Sequence, residues 1–177
     1  MVYGDYPELD DIDMRIVAAL QADAKMPLAR IGQSVDLSAP SVMERVRKLE
    51  QAGVIRGYHA DIDAKKIGLD ITAFVGVSIN FPKGIDRFET AVKPMPEVLE
   101  CHHVTGGPTL ILKVKVRNTA ALESLISSIR IVEGVERTET MVVLSTSTER
   151  TALPIPKPPA AGEPRTRRGR KKRPGDG

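Results

Sequence analysis

The residues best equipped for chemistry lie in two short stretches and one tail. The first stretch, from Ser38 to Ile55, sets Arg45, Arg47 and Lys48 among Ser41 and Glu44. Treated as a helix with Val42 at the centre of its buried face, about 100° per residue carries Pro40, Glu44, Arg47 and Lys48 to the opposite side, with Ser41 at its edge. Arg and Lys on such a face reach phosphates or guanine edges, while Ser and Glu offer short polar contacts to bases. Ser38 and Arg45 are counted with this DNA-facing set, and Arg56, a little further on, is expected near the DNA backbone. The competing reading is an ordinary solvated face, because charged faces are the norm on surface helices.

The second stretch is Cys101-His102-His103, followed by Val104-Thr-Gly-Gly-Pro-Thr109. On a strand, Cys101 and His103 point to one face and His102 to the other, so the three cannot close on one ion. No metal site is expected. His103, beside the loop, is a candidate ligand contact or interface side chain. Nothing in the chain combines a glycine-rich phosphate loop, a Cys/His nucleophile pair or an isolated carboxylate dyad, so a catalytic role finds no support. The rival class is a regulatory or enzymatic domain that never touches DNA.

The tail gathers Arg167, Arg168, Arg170, Lys171, Lys172 and Arg173 around Gly169, with Pro174 after them. Its Arg-Gly-Arg core resembles an AT-hook arm for the minor groove, which would add salt-sensitive DNA affinity. A solubilising basic tail that meets any polyanion is the alternative. Composition makes the whole of residues 150–177 a disordered segment, since it begins Pro-rich and ends in charge.

Charge averages hide this division. The net charge is +3, but residues 151–177 alone balance to +6 and the preceding 150 residues to −3. A basic total therefore says nothing by itself about nucleic acid, and position must carry the argument. Hydrophobic residues make up 41% of the chain and aromatics only 3%, so Val, Ile and Leu must fill the cores. A single cysteine excludes an internal disulfide framework and suits a reducing cytoplasm. The acidic start, MVYGDYPELDDIDM, lacks the apolar region of a signal peptide. No stretch approaches the roughly 20 apolar residues of a membrane span. The expected location is cytoplasmic, at the nucleoid.

These candidates need elements to hold them. After a lead of residues 1–8, Ile12, Ile16, Ala19 and Leu20 mark a first helix, with Asp10, Asp11 and Asp13 at its start. Leu28, Ile31 and Val35 mark a short second helix, and Val42, Val46 and Leu49 a third, capped by Ser38 and ended by Gly53. Two short helices joined by a turn at Asp36-Leu37 form the helix-turn-helix pattern. Val54 to Asp63 reads as a small hairpin or wing, which with a linker completes a DNA-binding domain over residues 9–70. From residue 71 to 149 the rhythm is βαββαβ: strands from Ile71, Val98, Leu110 and Val135, and helices around Phe88 and Leu125. That order is the ferredoxin-like sandwich, with both helices on one face of an antiparallel sheet. The fold class is thus α+β, a winged helix-turn-helix followed by a ferredoxin-like domain. The second face of such a sheet must also be buried, which favours self-association.

From Ser38-Ala-Pro-Ser-Val-Met-Glu-Arg-Val-Arg-Lys-Leu-Glu-Gln-Ala-Gly-Val-Ile55 the sequence resembles the Lrp/AsnC family of feast/famine regulators. The similarity begins at Leu9-Asp-Asp-Ile-Asp13 and extends through Val104-Thr-Gly106 and Leu112-Lys-Val114 to Gly134-Val135. The resemblance implies a regulator of transcription whose second domain takes a small-molecule effector, commonly an amino acid, between dimers. It also implies homodimers whose sheets pack together, often assembled into tetramers or octamers. By the same resemblance His103, Thr105, Gly106, Gly107 and Thr109 are the candidate effector-binding residues. Two departures stand out. Asp36 occupies the turn where family members often have Gly, and Asp tolerates left-handed backbone. Thr109 replaces the Asp that commonly holds the ligand's amino group, and a hydroxyl supplies no countercharge.

Overall fold

The computed structural model describes residues 7–80 and 84–155. They form two compact units, residues 7–59 with 150–155 and residues 60–149. Residues 60–70 therefore group with the sheet, whereas the sequence reading placed them with the helices. The reason is local: a 3-10 turn at Lys65–Ile67, closed by Gly68 at φ 82°, delivers the chain directly into the first strand.

In the first unit, α1 (Asp11–Ala22), α2 (Leu28–Val35) and α3 (Ala39–Gln51) surround one small core. Ile16, Leu20, Ile31, Val35, Val42 and Leu49 are buried in it, with Ile12 and Val46 packed at its margin. Each such side chain stabilises by about 1.5–3 kcal/mol, and six of them must hold the unit together. Asp10 lies just outside α1 as its cap. Its carboxylate accepts the Asp13 N–H at 2.7 Å, and the Asp13 carboxylate accepts the Asp10 N–H at 3.2 Å, a reciprocal capping box. Gly53 leaves α3 at φ 69°, the left-handed stop anticipated from its type.

The hairpin expected at Val54–Asp63 is not formed: among the described residues this segment contains no strand. It carries no Asn-Gly or Asp-Gly pair to reverse the chain, and a lone two-stranded ribbon is marginal in water. The Tyr58 hydroxyl instead donates to the Glu50 carboxylate at 2.9 Å and ties the segment back to α3.

The second unit runs β1 (Ile71–Ile79), α4 (Gly84–Val92), β2 (Val98–His103), β3 (Leu110–Val116), α5 (Thr119–Arg130) and β4 (Val135–Val142). The break expected at Pro82-Lys83 lies outside the described residues. All pairings are antiparallel, in the order β2-β3-β1-β4, which is the ferredoxin-like arrangement. Ala73, Val75, Val77 and Ile79 of β1 and Leu110, Leu112, Val114 and Val116 of β3 face Phe88, Val92, Leu122, Leu125 and Ile129 of the helices. Period-two burial on the strands and helical spacing on α4 and α5 thus meet in one core. The other face of the sheet carries Phe74, Lys113, Glu100 and Met141 in one cross-strand row. Met141 there is 52% exposed. Among the described residues, no helix is long and apolar enough to cross a membrane.

Candidate nucleic-acid interface and effector loop

The turn between α2 and α3 is the tightest piece of the first unit. Asp36 takes φ 56°, ψ 42° and is the only non-glycine residue with positive φ among those described. The Leu37 N–H donates to the Gly32 carbonyl at 3.0 Å, closing the end of α2. Gly32 was not singled out from the sequence, yet a Cβ there would stand 2.3 Å from the Leu37 carbonyl oxygen. Its lone position inside a helical pattern, just ahead of the turn, was the available signal. Ser38 then caps α3, its Oγ accepting the Ser41 N–H at 3.3 Å and lying 2.8 Å from the Ser41 Oγ. The two serines are therefore part of the helix start as well as of the exposed rim.

Beyond that cap, α3 presents Pro40, Glu44, Arg47 and Lys48 to solvent, with Ser41 half-buried. Met43 joins them at 49% exposure, spaced three residues from Pro40 and four from Arg47. The sequence reading missed it because an apolar residue in an amphipathic helix is counted as core by default. Lys48 pairs with Glu44 at 2.9 Å, and this contact holds the Glu44 carboxyl below its usual range. Arg47 and Arg56 are exposed and make no ion pair among the described residues.

Arg45 departs from its expected place. Its Nη1 donates to Asp10 Oδ2 at 2.8 Å and to Asp13 Oδ1 at 2.7 Å, away from the exposed stripe. The cause is spacing: Arg45 lies three residues after Val42 and four before Leu49, both buried, and so sits on the flank of the core. The tie raises the Arg45 pKa, through the hydrogen bonds to Asp10 and Asp13. Burial pushes the Asp10 carboxyl up, but the Asp13 N–H and the Arg45 guanidinium outweigh it and hold it below the usual value.

The root of the tail belongs to the same unit. Gln21 Nε2 of α1 donates to the Leu153 carbonyl at 2.8 Å, and the Leu153 N–H donates to Gln21 Oε1 at 2.9 Å. Arg167, Arg168, Arg170, Lys171, Lys172 and Arg173 lie outside the described residues.

In the second unit, the candidate effector residues fall at the end of β2 and on its connection to β3. His103 ends β2 opposite Leu110, and Thr105, Gly106 and Gly107 form the exposed tip. Gly106 sits at φ 119°, where a side chain would be strained. Val104 N–H donates to the Thr109 carbonyl at 3.1 Å and Thr109 N–H to the Val77 carbonyl at 2.9 Å, so both ends of the loop are anchored. The Thr109 hydroxyl accepts the Ile79 N–H at 3.1 Å, at the point where the β1–β4 register slips. Its oxygen therefore completes the backbone of β1 with one lone pair, leaving its hydrogen and a second lone pair to be offered to a ligand. Pro108 packs over Gly76, where a Cβ would meet the Pro108 Cβ at 3.3 Å. Among the described residues, no group of three or more His, Cys, Asp or Glu could hold a metal ion.

A capped helix with an exposed Arg/Lys stripe, held behind a three-residue turn and followed by an α+β sheet unit, defines a DNA-binding regulator of the helix-turn-helix class. Residues 9–50 match the model of the AsnC-type helix-turn-helix domain, and residues 72–153 that of the Lrp/AsnC ligand-binding domain. The chain belongs to the Lrp/AsnC family of transcriptional regulators. It is 36% identical to the HTH-type transcriptional regulator FL11 of Pyrococcus horikoshii over 83% of this chain and 97% of that protein. It is 30% identical to the regulatory protein AsnC of Escherichia coli over 82% of this chain and 97% of that one. Among solved structures, a feast or famine regulatory protein from M. tuberculosis complexed with L-methionine superposes with a TM-score of 0.78, at 34% identity over 84% of this chain and 100% of that one.

Proposed function

We propose that this regulator grips DNA through the exposed stripe of α3 and answers to a small molecule bound at its sheet domain. The observation that carries the first half is the α3 face, with Pro40, Ser41, Glu44, Arg47 and Lys48 outward and Ser38 fixing its start. Arg47 supplies charge to phosphate or guanine, Lys48 exchanges Glu44 for phosphate on binding, and Arg56 follows on the backbone. The protein acts by binding, as a cytoplasmic, nucleoid-associated homo-oligomer. Dimerisation is supported by the sheet face that carries Phe74 and Met141, and tetramers or octamers would extend the same principle of burial.

The effector is an amino acid or a related metabolite, met by His103, the backbone of Thr105, Gly106 and Gly107, and the hydroxyl of Thr109. Support comes from the anchored, open loop and from the methionine complex of the M. tuberculosis relative. Because Thr109 brings no countercharge for an ammonium, the ligand need not be a simple α-amino acid. The tail residues Arg167 to Arg173 add accessory DNA contacts, and the Gln21–Leu153 pair supports delivery of that tail from the DNA-binding unit. Calorimetric titration of the full chain with L-methionine, the other amino acids and their keto-acid analogues tests the effector half. Saturable binding that is lost in Gly106→Val supports this loop, and saturable binding unchanged in that variant excludes it.

A further inference from the structure

The contact between α1 and α3 bears on how DNA is read. Asp10 and Asp13 form the capping box of α1, and both carboxylates converge on Nη1 of Arg45. Asp13 is only 16% exposed at this contact and Arg45 30%. The three groups together carry one net negative charge, so Arg45 brings no uncompensated cation to the DNA side. Arg47, two residues on, stands in the open.

We propose that Arg45 is a positioning residue: clasped by Asp10 and Asp13, it sets the orientation of α3 against the start of α1 and makes no phosphate contact of its own. This rests on the reading that α3 enters DNA. A recognition helix reads bases through side chains only a few ångströms from their targets, so a tilt of α3 costs base contacts first. Phosphate attraction depends on charge and distance and survives small tilts. Loss of the clasp is therefore expected to lower selectivity while leaving non-specific binding and its salt dependence in place. A purely stabilising role would lower both affinities together, in proportion to the fraction folded.

The test uses the full chain and two duplexes, the DNA upstream of its own gene and a scrambled duplex of equal length and composition. Arg45→Met is expected to reduce the upstream-to-scrambled affinity ratio roughly tenfold with the salt slope unchanged, and Arg45→Lys to recover part of the ratio. The double variant Asp10→Asn/Asp13→Asn keeps an efficient cap on α1 but strips both countercharges from the guanidinium, leaving it only neutral hydrogen-bond partners. It should lose selectivity to a similar extent and steepen the salt slope by about 0.9, the share of one added cation. A slope that flattens by about 0.9 in Arg45→Met would show Arg45 on phosphate and overturn the inference, as would an unchanged ratio in both variants. Wild type without any preference for the upstream duplex would instead sink the functional reading beneath it.

Discussion

Replacing Gly32 with Ala probes the helix-turn-helix at its least forgiving point. The new Cβ would lie 2.3 Å from the Leu37 carbonyl oxygen and 3.4 Å from its carbon, both backbone atoms. Ordinary C···O contact is about 3.3 Å, so roughly 1 Å must be found by moving the turn. Opening it gives up the Leu37 N–H to Gly32 carbonyl bond, worth about 0.5–1.5 kcal/mol, and repacks the adjoining core at about 1–3 kcal/mol. The better helix propensity of Ala returns about 1 kcal/mol, leaving a net loss near 2 kcal/mol. A unit of this size has only about 3–8 kcal/mol of stability in total. No tyrosine lies beyond residue 58, and Tyr58 is tied to Glu50 in that unit, so the change in tyrosine fluorescence during a urea titration reports that unit and not the sheet. Gly32→Ala should move the fluorescence midpoint down by the equivalent of about 2 kcal/mol and weaken DNA binding. The circular-dichroism transition of the sheet unit should stay in place. A fluorescence midpoint within about 0.3 kcal/mol of wild type would refute the steric reasoning.

Thr109→Val leaves the Ile79 N–H without its partner and should destabilise the sheet unit by about 1–3 kcal/mol in thermal unfolding, whereas Thr109→Ser should stay close to wild type; equal melting of the Val variant would contradict this. Lys113 holds the Glu149 carboxyl below its usual range, and His102 with Lys113 does the same for Glu100. Both groups bind protons less readily folded than unfolded, so their contribution is present above the ordinary carboxylate range and is lost as pH falls through the depressed values. Acid unfolding of the sheet unit should accordingly be shallower in Glu149→Gln, and an unchanged acid limb would remove the claim. Deleting residues 156–177 should lower non-specific DNA affinity and flatten its salt slope; an identical slope would leave the tail no part in binding.

Helical and strand periods marked the five α-helices and four strands of the described residues, though not the 3-10 turn at Lys65–Ile67, because each buries a stripe of Val, Ile and Leu with few aromatics to blur the pattern. Asp36 was legible too, since the turn could be placed from Val35 and Ser38 and Asp accepts the left-handed backbone it adopts. The hairpin after α3 was misread because alternating apolar residues satisfy strand periodicity whether or not a second strand is available to pair. Arg45 was grouped by charge, although its spacing from Val42 and Leu49 placed it beside the core. The bond from Ile79 to the Thr109 hydroxyl joins residues 30 apart in sequence and depends on a register slip, which no local pattern encodes. Gly32 shows the same limit, because its neighbour across the turn is known only once both helices are built.

The most direct test of the account is fluorescence anisotropy of the upstream duplex with wild type and Arg47→Ala, each competed by the scrambled duplex at fixed salt. Wild type should prefer the upstream duplex by a factor of about 10³ or more, and Arg47→Ala should bind it at least several-fold more weakly while the folded state is intact. Equal affinity of wild type for the two duplexes, or full affinity in Arg47→Ala, would contradict recognition through this face of α3.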